Sequence, residues 1–223
     1  MARWTPQRRD VLDALADEFL HNYGKGRTLI AVDGFDGAGK SRFADDLAAR
    51  LGRGSHAVFR ASVDGFHKPS AERYARGRDS AEGFYYDSFD YELFRRVLID
   101  PFRMGGSTGF VTEAFDVGRN AQVLMDWKTG PQDATLVVDG IFLNRPELRG
   151  LWNYSIWLDV PRELAEARMV ERDGASGGES GIQSRYAGGQ RLYSAEAHPR
   201  AAASAIIDNS DFDHPRRVFA DSC

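Results

Sequence analysis

The residues best suited to chemistry lie in the octapeptide GFDGAGKS, at positions 34–41. The apolar run TLIAVD precedes it and RFADDLAARL follows it, which predicts a strand before it and a helix after it. Glycines allow successive backbone N–H groups to point at one anion, and the start of a helix adds positive potential at the same place. The spacing of Gly34, Gly39, Lys40 and Ser41 therefore predicts a phosphate-binding (Walker A) loop rather than an ordinary glycine-rich turn.

This phosphate loop, residues 34–41, is expected to bind the phosphates of a nucleotide. Lys40 should reach the outer phosphates, and the Ser41 hydroxyl should coordinate magnesium. Nucleotide binding alone does not distinguish a kinase from a switch protein or a motor ATPase, so other polar residues must decide. The predicted nucleotide-binding residues are Gly34, Asp36, Gly37, Ala38, Gly39, Lys40, Ser41 and Arg42.

Two carboxylates follow other predicted strands. Asp139 closes the apolar run TLVVD, and Asp64 follows the strand predicted at 57–63. Both should lie at the carboxyl edge of the sheet, where ligands of such sheets bind. There Asp139 could hold magnesium, directly or through water, and Asp64 could orient or deprotonate an attacking hydroxyl. The alternative left open for both is an Asp-Gly turn without a chemical role.

Two arginines suggest a lid. Arg168 and Arg172 stand four residues apart on a helix predicted at 163–172, just before the glycine and serine run GASGGESGIQSRYAGG. Arginine donors stabilise the charge that develops in phosphoryl transfer, and closure of a flexible segment excludes water. The alternative is a solvated helix face whose arginines pair with neighbouring glutamates.

The elements that position these residues follow an alternating pattern. Short apolar strands separated by helices predict a mainly parallel sheet with helices on both faces and right-handed crossovers. The first helix is expected to begin at Thr5-Pro6, and the last to run over 192–203. A pair of extended segments is predicted within 109–125, joined near 118–120. The predicted strands are 28–32, 57–63, 134–138, 154–160 and 205–208, and the remaining predicted helices are 41–51 and 90–98.

The amino-acid composition limits the kinds of partner that the protein is expected to bind. A chain of 223 residues with 42% hydrophobic and 28% charged residues fits one globular domain with a small lid. A net charge of −4 argues against nucleic acid as a partner. The single cysteine, Cys223, permits no internal disulfide or thiolate metal cluster. No apolar run approaches the roughly 18 residues of a membrane span, so we expect a cytoplasmic protein without a membrane partner.

Several segments together resemble the uridine kinase and phosphoribulokinase group of P-loop small-molecule kinases. They occur in the order typical of that group and cover about residues 28–213. The loop motif is generic, but its combination with Asp64-Gly-Phe-His and the spacing of the two arginines is more specific. The segments are GFDGAGKS at 34, SVDGFHKP at 62, YYDSFDYELF at 85, VVDGIFL at 137, LDVPRELAEARMVERD at 158, YAGGQRLY at 186 and DNSDFD at 208.

The resemblance implies a single α/β domain of the P-loop kinase fold, with a five-stranded parallel core, that phosphorylates a small alcohol. It implies ATP as co-substrate and Mg²⁺ as cofactor. The domain would span 1–223, with an N-terminal helix at 1–24, an acceptor-binding insertion at 64–89 and a lid at about 173–190. The matched catalytic residues are Asp64, Lys40, Arg168 and Arg172, and the matched metal residues are Ser41 and Asp139.

The resemblance is looser at the acceptor. Uridine kinases carry an acidic residue three positions before the aspartate of a DAFD-like run; here that run is DSFD and the position holds Phe84. The aromatic side chains of this region fit either stacking on a base or packing in the core. The predicted acceptor-binding residues are His67, Arg73, Tyr74, Arg78, Tyr85, Tyr86, Asp87, Phe115, Asp116 and Gln190.

The favoured function is transfer of the γ-phosphate of ATP to a nucleoside such as uridine or cytidine. Pantothenate, a sugar or glycerate are the alternative acceptors. From a different class, a nucleotide-binding regulatory switch remains, although the Asn-Lys-x-Asp guanine motif of GTP switches does not occur in the sequence. The expected partner is thus a small molecule with a hydroxyl group that accepts the phosphate. The sequence leaves open whether the protein forms a homo-oligomer.

Overall fold

The computed structural model describes residues 6–173 and 180–219. Five parallel strands and one antiparallel strand form the main sheet, and a two-stranded hairpin lies apart from it. The strands are β1 Arg27–Gly34, β2 Ala57–Ser62, β3 Phe115–Asp116, β4 Ala121–Gln122, β5 Ala134–Gly140, β6 Tyr154–Asp159, β7 Ala205–Asp208 and β8 Arg216–Val218.

The strand order of the main sheet is β2-β5-β1-β6-β7-β8. The first five are parallel, which confirms the predicted parallel core, and β8 pairs with β7 in the antiparallel direction. The sequence analysis missed β8 because the segment Arg216–Val218 is short and polar. The small hairpin of β3 and β4 turns at 117–120, as predicted. The carboxyl ends of β1, β2 and β5 thus meet at one edge.

Helices cover both faces of the sheet. Side chains alternate along β1, so that Ile30 and Val32 pack with α1 and α2, whereas Leu29 and Ala31 face the opposite core. Among the described helices, none is long and apolar enough to cross a bilayer. The helices are α1 Arg8–Tyr23, α2 Lys40–Leu51, α3 Ser70–Arg73, α4 Ala81–Asp87, α5 Tyr91–Phe94, α6 Asp100–Met104, α7 Arg162–Asp173, α8 Ser180–Ala197 and α9 Pro199–Ala202.

The predicted start of the first helix was wrong. Helix α1 begins at Arg8 rather than at Pro6, and the carboxylate of Asp10 caps it by accepting a hydrogen bond from the backbone N–H of Gln7 at 3.0 Å. The segment 64–89, predicted as an acceptor-binding insertion, contains the short helices α3 and α4. A π-helical turn, Arg95–Ile99, then joins α5 to α6.

The glycine-rich segment before Arg191 is also more ordered than predicted. Its residues 180–189 belong to α8, while 174–179 lie outside the described residues. A methyl group on Gly189 would lie 2.5 Å from the Phe84 ring, and one on Gly188 would lie 2.5 Å from Cβ of Ala81. These glycines therefore allow α8 to pack closely against α4.

Replacing Gly189 by alanine should destabilise the fold by about 1–3 kcal/mol, because the added methyl group overpacks the contact with α4. This loss should appear even though alanine favours a helix by about 1 kcal/mol over glycine. Urea unfolding followed by circular dichroism measures the free energy of unfolding.

Gly150→Ala is the matched control, since no atom lies within 4 Å of the added methyl group. Its free energy of unfolding should change by less than about 0.5 kcal/mol. A Gly189→Ala protein as stable as the parent would show that α8 does not depend on this close contact.

Candidate functional site

The phosphate loop connects the carboxyl end of β1 to the first turn of α2. Gly37 and Gly39 adopt left-handed conformations, with φ of +78° and +82°. A Cβ atom on Gly37 would lie 2.2 Å from the carbonyl oxygen of Ala165, and one on Gly39 would lie 2.6 Å from the ring of Phe212. Both positions thus require glycine for conformation and for space. The amino end of the 12-residue helix α2 adds positive potential to this loop, which suits a phosphate.

Lys40 and Ser41 point into the same region. Nζ of Lys40 donates to the carbonyl oxygen of Phe35 at 3.0 Å and lies 3.8 Å from a carboxylate oxygen of Asp36. The Ser41 hydroxyl donates to Oδ2 of Asp139 at 2.6 Å. The structure therefore brings the two predicted metal residues into direct contact at the end of β5.

A charged residue that the sequence analysis missed holds the other oxygen of Asp139. Arg60 on β2 donates from Nη2 to Oδ1 of Asp139 at 2.8 Å, and from Nη1 to the carbonyl oxygen of Val137 at 2.8 Å. Asp139 is buried, so this arginine compensates a charge that would otherwise be costly. A charged residue inside the apolar strand AVFRAS was the signal that could have identified it.

The described residues contain no group of three or more His, Cys, Asp or Glu side chains that could hold a metal ion. Magnesium in phosphoryl-transfer sites is usually held by one or two protein ligands, with substrate phosphates and water completing the shell. The Ser41 and Asp139 pair beside the phosphate loop fits that role.

Asp64 lies in the 3₁₀ turn Val63–Phe66 that follows β2. Solvent reaches this residue, yet the surrounding protein removes part of the water around its carboxylate and so raises its pKa. The charges of His67 and Lys40 lower the pKa of Asp64, and those of Asp139 and Asp36 raise it. Asp64 lies two residues beyond Ser62, which pairs with Asp139 across β2 and β5, and its N–H donates to the Ser62 hydroxyl at 3.3 Å, so Asp64 lies at the same edge of the sheet as Asp139 and the phosphate loop.

His67 supports the turn that carries Asp64. Its Nδ1 lies 2.8 Å from the main-chain oxygen of Asp64, so Nδ1 must donate a proton and Nε2 stays available. Burial lowers the pKa of His67, and the charges of Arg73 and Arg185 lower it further. The predicted acceptor residue His67 therefore also has a structural role in the turn that carries Asp64.

A buried carboxylate that the sequence analysis did not select lies directly beneath the phosphate loop. Asp33, the residue before Gly34, accepts a hydrogen bond from Gly34 N–H at 2.8 Å. Its other oxygen accepts from the backbone and side-chain amides of Asn144, at 3.0 and 2.8 Å, and from the hydroxyl of Tyr193 on α8. Burial raises the pKa of Asp33, and these donors act in the opposite direction. An aspartate inside an apolar strand was the available signal.

Arg168 does not stand free on a solvated helix face. Its guanidinium donates to the main-chain oxygen of Ser210 at 2.7 Å and to that of Asn209 at 3.2 Å, and it lies 3.7 Å from the centre of the Phe212 ring. The side-chain amide of Asn209 donates to Ala38 at 2.8 Å, and Arg42 also stacks near Phe212, at 5.2 Å. Arg168 thus braces the segment 209–212 against the phosphate loop.

The side chain of Arg172, the other predicted lid arginine, lies outside the described part of the structure. The backbone of Arg172 is in α7. Gln190 on α8 donates to a carboxylate oxygen of Asp36 at 3.2 Å, which places this predicted acceptor residue against the phosphate loop.

Several predicted acceptor residues are engaged elsewhere. Tyr85 is fully buried and packs against Phe142, so it belongs to the core rather than to the pocket. Phe115 is buried as well. Asp116 accepts a hydrogen bond from Arg119 N–H within its own turn, at 3.0 Å.

Two further predicted acceptor residues are paired with exposed side chains. Asp87 pairs with Arg76 at 2.7 Å, and the hydroxyl of Tyr86 donates to Glu196 at 3.0 Å. Of the ten predicted acceptor residues, the structure groups Arg73, Tyr74 and Arg78 with Arg185 of α8, and it places His67 against the main-chain oxygen of Asp64.

No family model and no curated protein matches the chain. Solved structures do match. A possible uridine kinase from Bacillus stearothermophilus superposes with a TM-score of 0.72 at 21% identity, covering 90% of this chain and 98% of the other. A candidate fructose transport system kinase from a Silicibacter species superposes with a TM-score of 0.65 at 28% identity, covering 86% and 94%.

A D-glycerate 3-kinase from Cryptococcus neoformans superposes with a TM-score of 0.53 at 10% identity, covering 83% of this chain and 86% of the other. These likenesses confirm the predicted fold and the predicted resemblance. The chain has the architecture of the uridine kinase-like P-loop kinases.

Replacing Tyr193 by phenylalanine should destabilise the protein by about 1–3 kcal/mol, because the buried carboxylate of Asp33 loses a donor. Burial and Asp33 raise the pKa of Tyr193, which keeps its hydroxyl protonated as a donor. Urea unfolding measures the change.

Tyr86→Phe is the control, since it removes a hydroxyl that bonds to Glu196 at the surface. Its free energy of unfolding should change by less than about 0.5 kcal/mol. Equal losses in the two variants would contradict a special contribution of the Asp33 contact.

Proposed function

We propose that this chain transfers the γ-phosphoryl group of ATP to a hydroxyl group of a small metabolite. The observation that supports the proposal is the position of Asp64 at the sheet edge, two residues beyond Ser62, which pairs with Asp139, while Asp139 itself accepts a hydrogen bond from Ser41 of the phosphate loop at 2.6 Å. A phosphate loop binds nucleotides in many classes of protein, but a carboxylate facing it suits an enzyme that must orient an alcohol.

The residues of the loop would bind and orient the nucleotide. Backbone N–H groups of residues 37–41 surround the phosphates, and Lys40 exchanges its contact with Phe35 for an outer phosphate oxygen. Ser41 and Asp139 are the residues that would hold Mg²⁺, which neutralises charge on the phosphates when bound.

Asp64 would accept the proton of the attacking hydroxyl or align that hydroxyl with the γ-phosphorus. His67 keeps the turn of Asp64 in place through its hydrogen bond to the main-chain oxygen. A regulatory switch, the alternative from another class, requires no such carboxylate.

The acceptor is the finer part of the proposal. A nucleoside is the acceptor predicted from the sequence, while pantothenate, a sugar and glycerate are the alternatives. The matched solved structures are a possible uridine kinase, a candidate fructose transport system kinase and a D-glycerate 3-kinase, so their names span different acceptors. With Tyr85 in the core, fewer aromatic side chains than predicted are free to stack on a base.

Asp64→Asn should lower kcat/KM for the acceptor by about two orders of magnitude or more, while the Kd for ATP changes little. Because the ionised carboxylate is the active form and its pKa is raised, the activity of the parent should fall as the pH drops through that raised value. This acid limb lies above the pH at which an ordinary aspartate titrates, and Asp64→Asn should lack it.

Asp126→Asn is the matched control, because this aspartate is 82% exposed. Its pH profile and rate should equal those of the parent. An unchanged rate in Asp64→Asn would remove Asp64 from the mechanism but would leave nucleotide binding intact.

Lys40→Ala should abolish acceptor-stimulated ADP release and weaken ATP binding, without unfolding the chain. The assay uses Mg²⁺, ATP and a panel of hydroxyl-bearing metabolites that begins with uridine and cytidine, and calorimetry measures nucleotide binding. A folded parent protein that binds no adenine or guanine triphosphate would overturn the proposed function. Tight nucleotide binding without stimulation by any acceptor would favour the regulatory switch.

A further inference from the structure

Three arginines surround one tyrosine beside the candidate catalytic turn. The guanidinium carbon of Arg185 lies 4.7 Å from the centre of the Tyr74 ring, and those of Arg73 and Arg78 each lie 5.3 Å from it. We call these four residues the arginine cluster. They come from α3, from the segment that follows α3, and from α8.

Two members of the arginine cluster are buried. Arg73 is 9% exposed and Arg185 is 4% exposed. Within the described residues, neither forms an ion pair with a carboxylate. Lysines and arginines are rarely buried unless they are paired, because desolvation of a charge is costly. Two buried positive charges side by side therefore need an explanation.

The contacts within the protein satisfy these arginines only in part. Arg185 donates to the main-chain oxygen of Arg78 at 2.9 Å. Arg73 approaches the side-chain oxygen of Asn120 at a weak 3.5 Å, and its buried Nε has no partner among the described residues. Donors of both guanidinium groups thus remain for a ligand.

Nearby acids do not neutralise the cluster. Asp87 pairs with Arg76 at 2.7 Å. Glu82 accepts from the Ser80 hydroxyl at 3.2 Å. Burial lowers the pKa of Arg185 and the charge of Asp79 raises it, but Asp79 is exposed and forms no ion pair with Arg185 among the described residues. The field around Tyr74 is therefore positive.

A purely structural role explains the cluster incompletely. A tyrosine ring offers two faces to cations, and a cation over an aromatic ring gains only a modest attraction. Three guanidinium groups around one ring repel one another, and Arg73 indeed lowers the pKa of Arg185. A bound anion would remove this repulsion and occupy the free donors.

The arginine cluster adjoins the candidate catalytic carboxylate. The charges of Arg73 and Arg185 lower the pKa of His67, which itself holds the main-chain oxygen of Asp64. On α8, Gln190 follows Arg185 and donates to Asp36 of the phosphate loop at 3.2 Å, and α3, which carries Arg73, begins at Ser70, shortly after His67. The two arginines are thus on elements that adjoin the turn of Asp64 and the phosphate loop, within reach of a group attached to the acceptor hydroxyl.

We propose that the phosphoryl acceptor is a small hydroxylated anion, whose carboxylate or phosphate group is bound by Arg73 and Arg185 while its hydroxyl faces Asp64. This inference rests on the proposed function and narrows its acceptor from neutral nucleosides to anions. The planar fork of arginine binds either anionic group through paired N–H donors.

The reaction balances with ATP as the only other substrate. The acceptor oxygen forms a bond to the γ-phosphorus, the bond from that phosphorus to the β-phosphate oxygen breaks, and Asp64 takes the hydroxyl proton. The products are ADP and the phosphorylated anion, and the anionic group held by the arginines is unchanged.

Matched acceptor pairs test the charge requirement. With the full chain, Mg²⁺ and ATP, acceptor-stimulated ADP release is measured for D-glycerate against glycerol, for ribose 5-phosphate against ribose, and for uridine. At least one anion should exceed its neutral partner in kcat/KM by about 100-fold or more. Stimulation by uridine, glycerol or ribose in preference to the anions would overturn the inference and leave the kinase proposal standing.

Direct binding covers the case in which no acceptor of the panel is turned over. Calorimetry in the presence of ADP and Mg²⁺ uses D-glycerate, ribose 5-phosphate and inorganic phosphate as probes. Binding of at least one probe, weakened about tenfold or more by Arg73→Gln or Arg185→Gln, is the expected result. No binding by any probe, or binding that both variants leave unchanged, would overturn the inference.

Control variants separate binding from folding. Arg95→Gln removes an exposed arginine that pairs loosely with Asp100 at 3.9 Å, and it should leave both KM values unchanged. Arg73→Gln and Arg185→Gln should raise KM for the anion while KM for ATP stays within about twofold. If either glutamine variant unfolds, Arg73→Lys and Arg185→Lys are used instead, because lysine keeps the positive charge but lacks the paired N–H donors of the guanidinium group. Both lysine variants should still weaken anion binding. Failure of the parent to bind ATP would instead contradict the proposed function.

Discussion

The hydrogen bonds to the carboxylate of Asp33 are the interactions on which the candidate site depends. They join the first residue of the phosphate loop, the segment after β5 at Asn144, and Tyr193 on α8. A fully buried carboxylate is tolerated only when donors replace its lost water, so the three chain segments must meet at this point. The shape of the loop and the position of α8 are consequently linked.

One face of α8 connects Asp33 to α4 and to the arginine cluster. Arg185, Gly189 and Tyr193 are spaced by four residues and therefore share a side of the helix. Tyr193 bonds to Asp33, Gly189 allows the close approach to α4, and Arg185 reaches Tyr74. Any movement of α8 would thus change the phosphate loop and the arginine cluster together, and α8 would couple the two substrates of the proposed reaction.

The parts of the structure that could be predicted from sequence have local signals. Strands β1, β5 and β7, the phosphate loop and the edge positions of Asp64 and Asp139 follow from short apolar runs and from one motif. The features that the sequence analysis missed depend on contacts between segments that are distant in the chain. From the sequence alone, a pair of glycines indicates a flexible segment, and only the structure shows that α4 packs closely on Gly189. No sequence motif connects Arg60 to Asp139, although the two form an ion pair. Roles of single residues, such as Arg168 against Ser210, are also set by tertiary contacts.

An anionic acceptor would alter the proton affinity of the candidate base as well as bind to the cleft. Arg73 and Arg185 lower the pKa of His67, so pairing these arginines with an anion would raise it again. A bound anion would also raise the pKa of Asp64 directly, because a further negative charge in the cleft disfavours the ionised carboxylate, as Asp139 and Asp36 already do. By pairing with the anion, the two arginines would limit this effect, so that Asp64 can stay ionised and receive the hydroxyl proton while the acceptor is bound. The arginines would therefore act on the charge of the cleft in addition to substrate affinity.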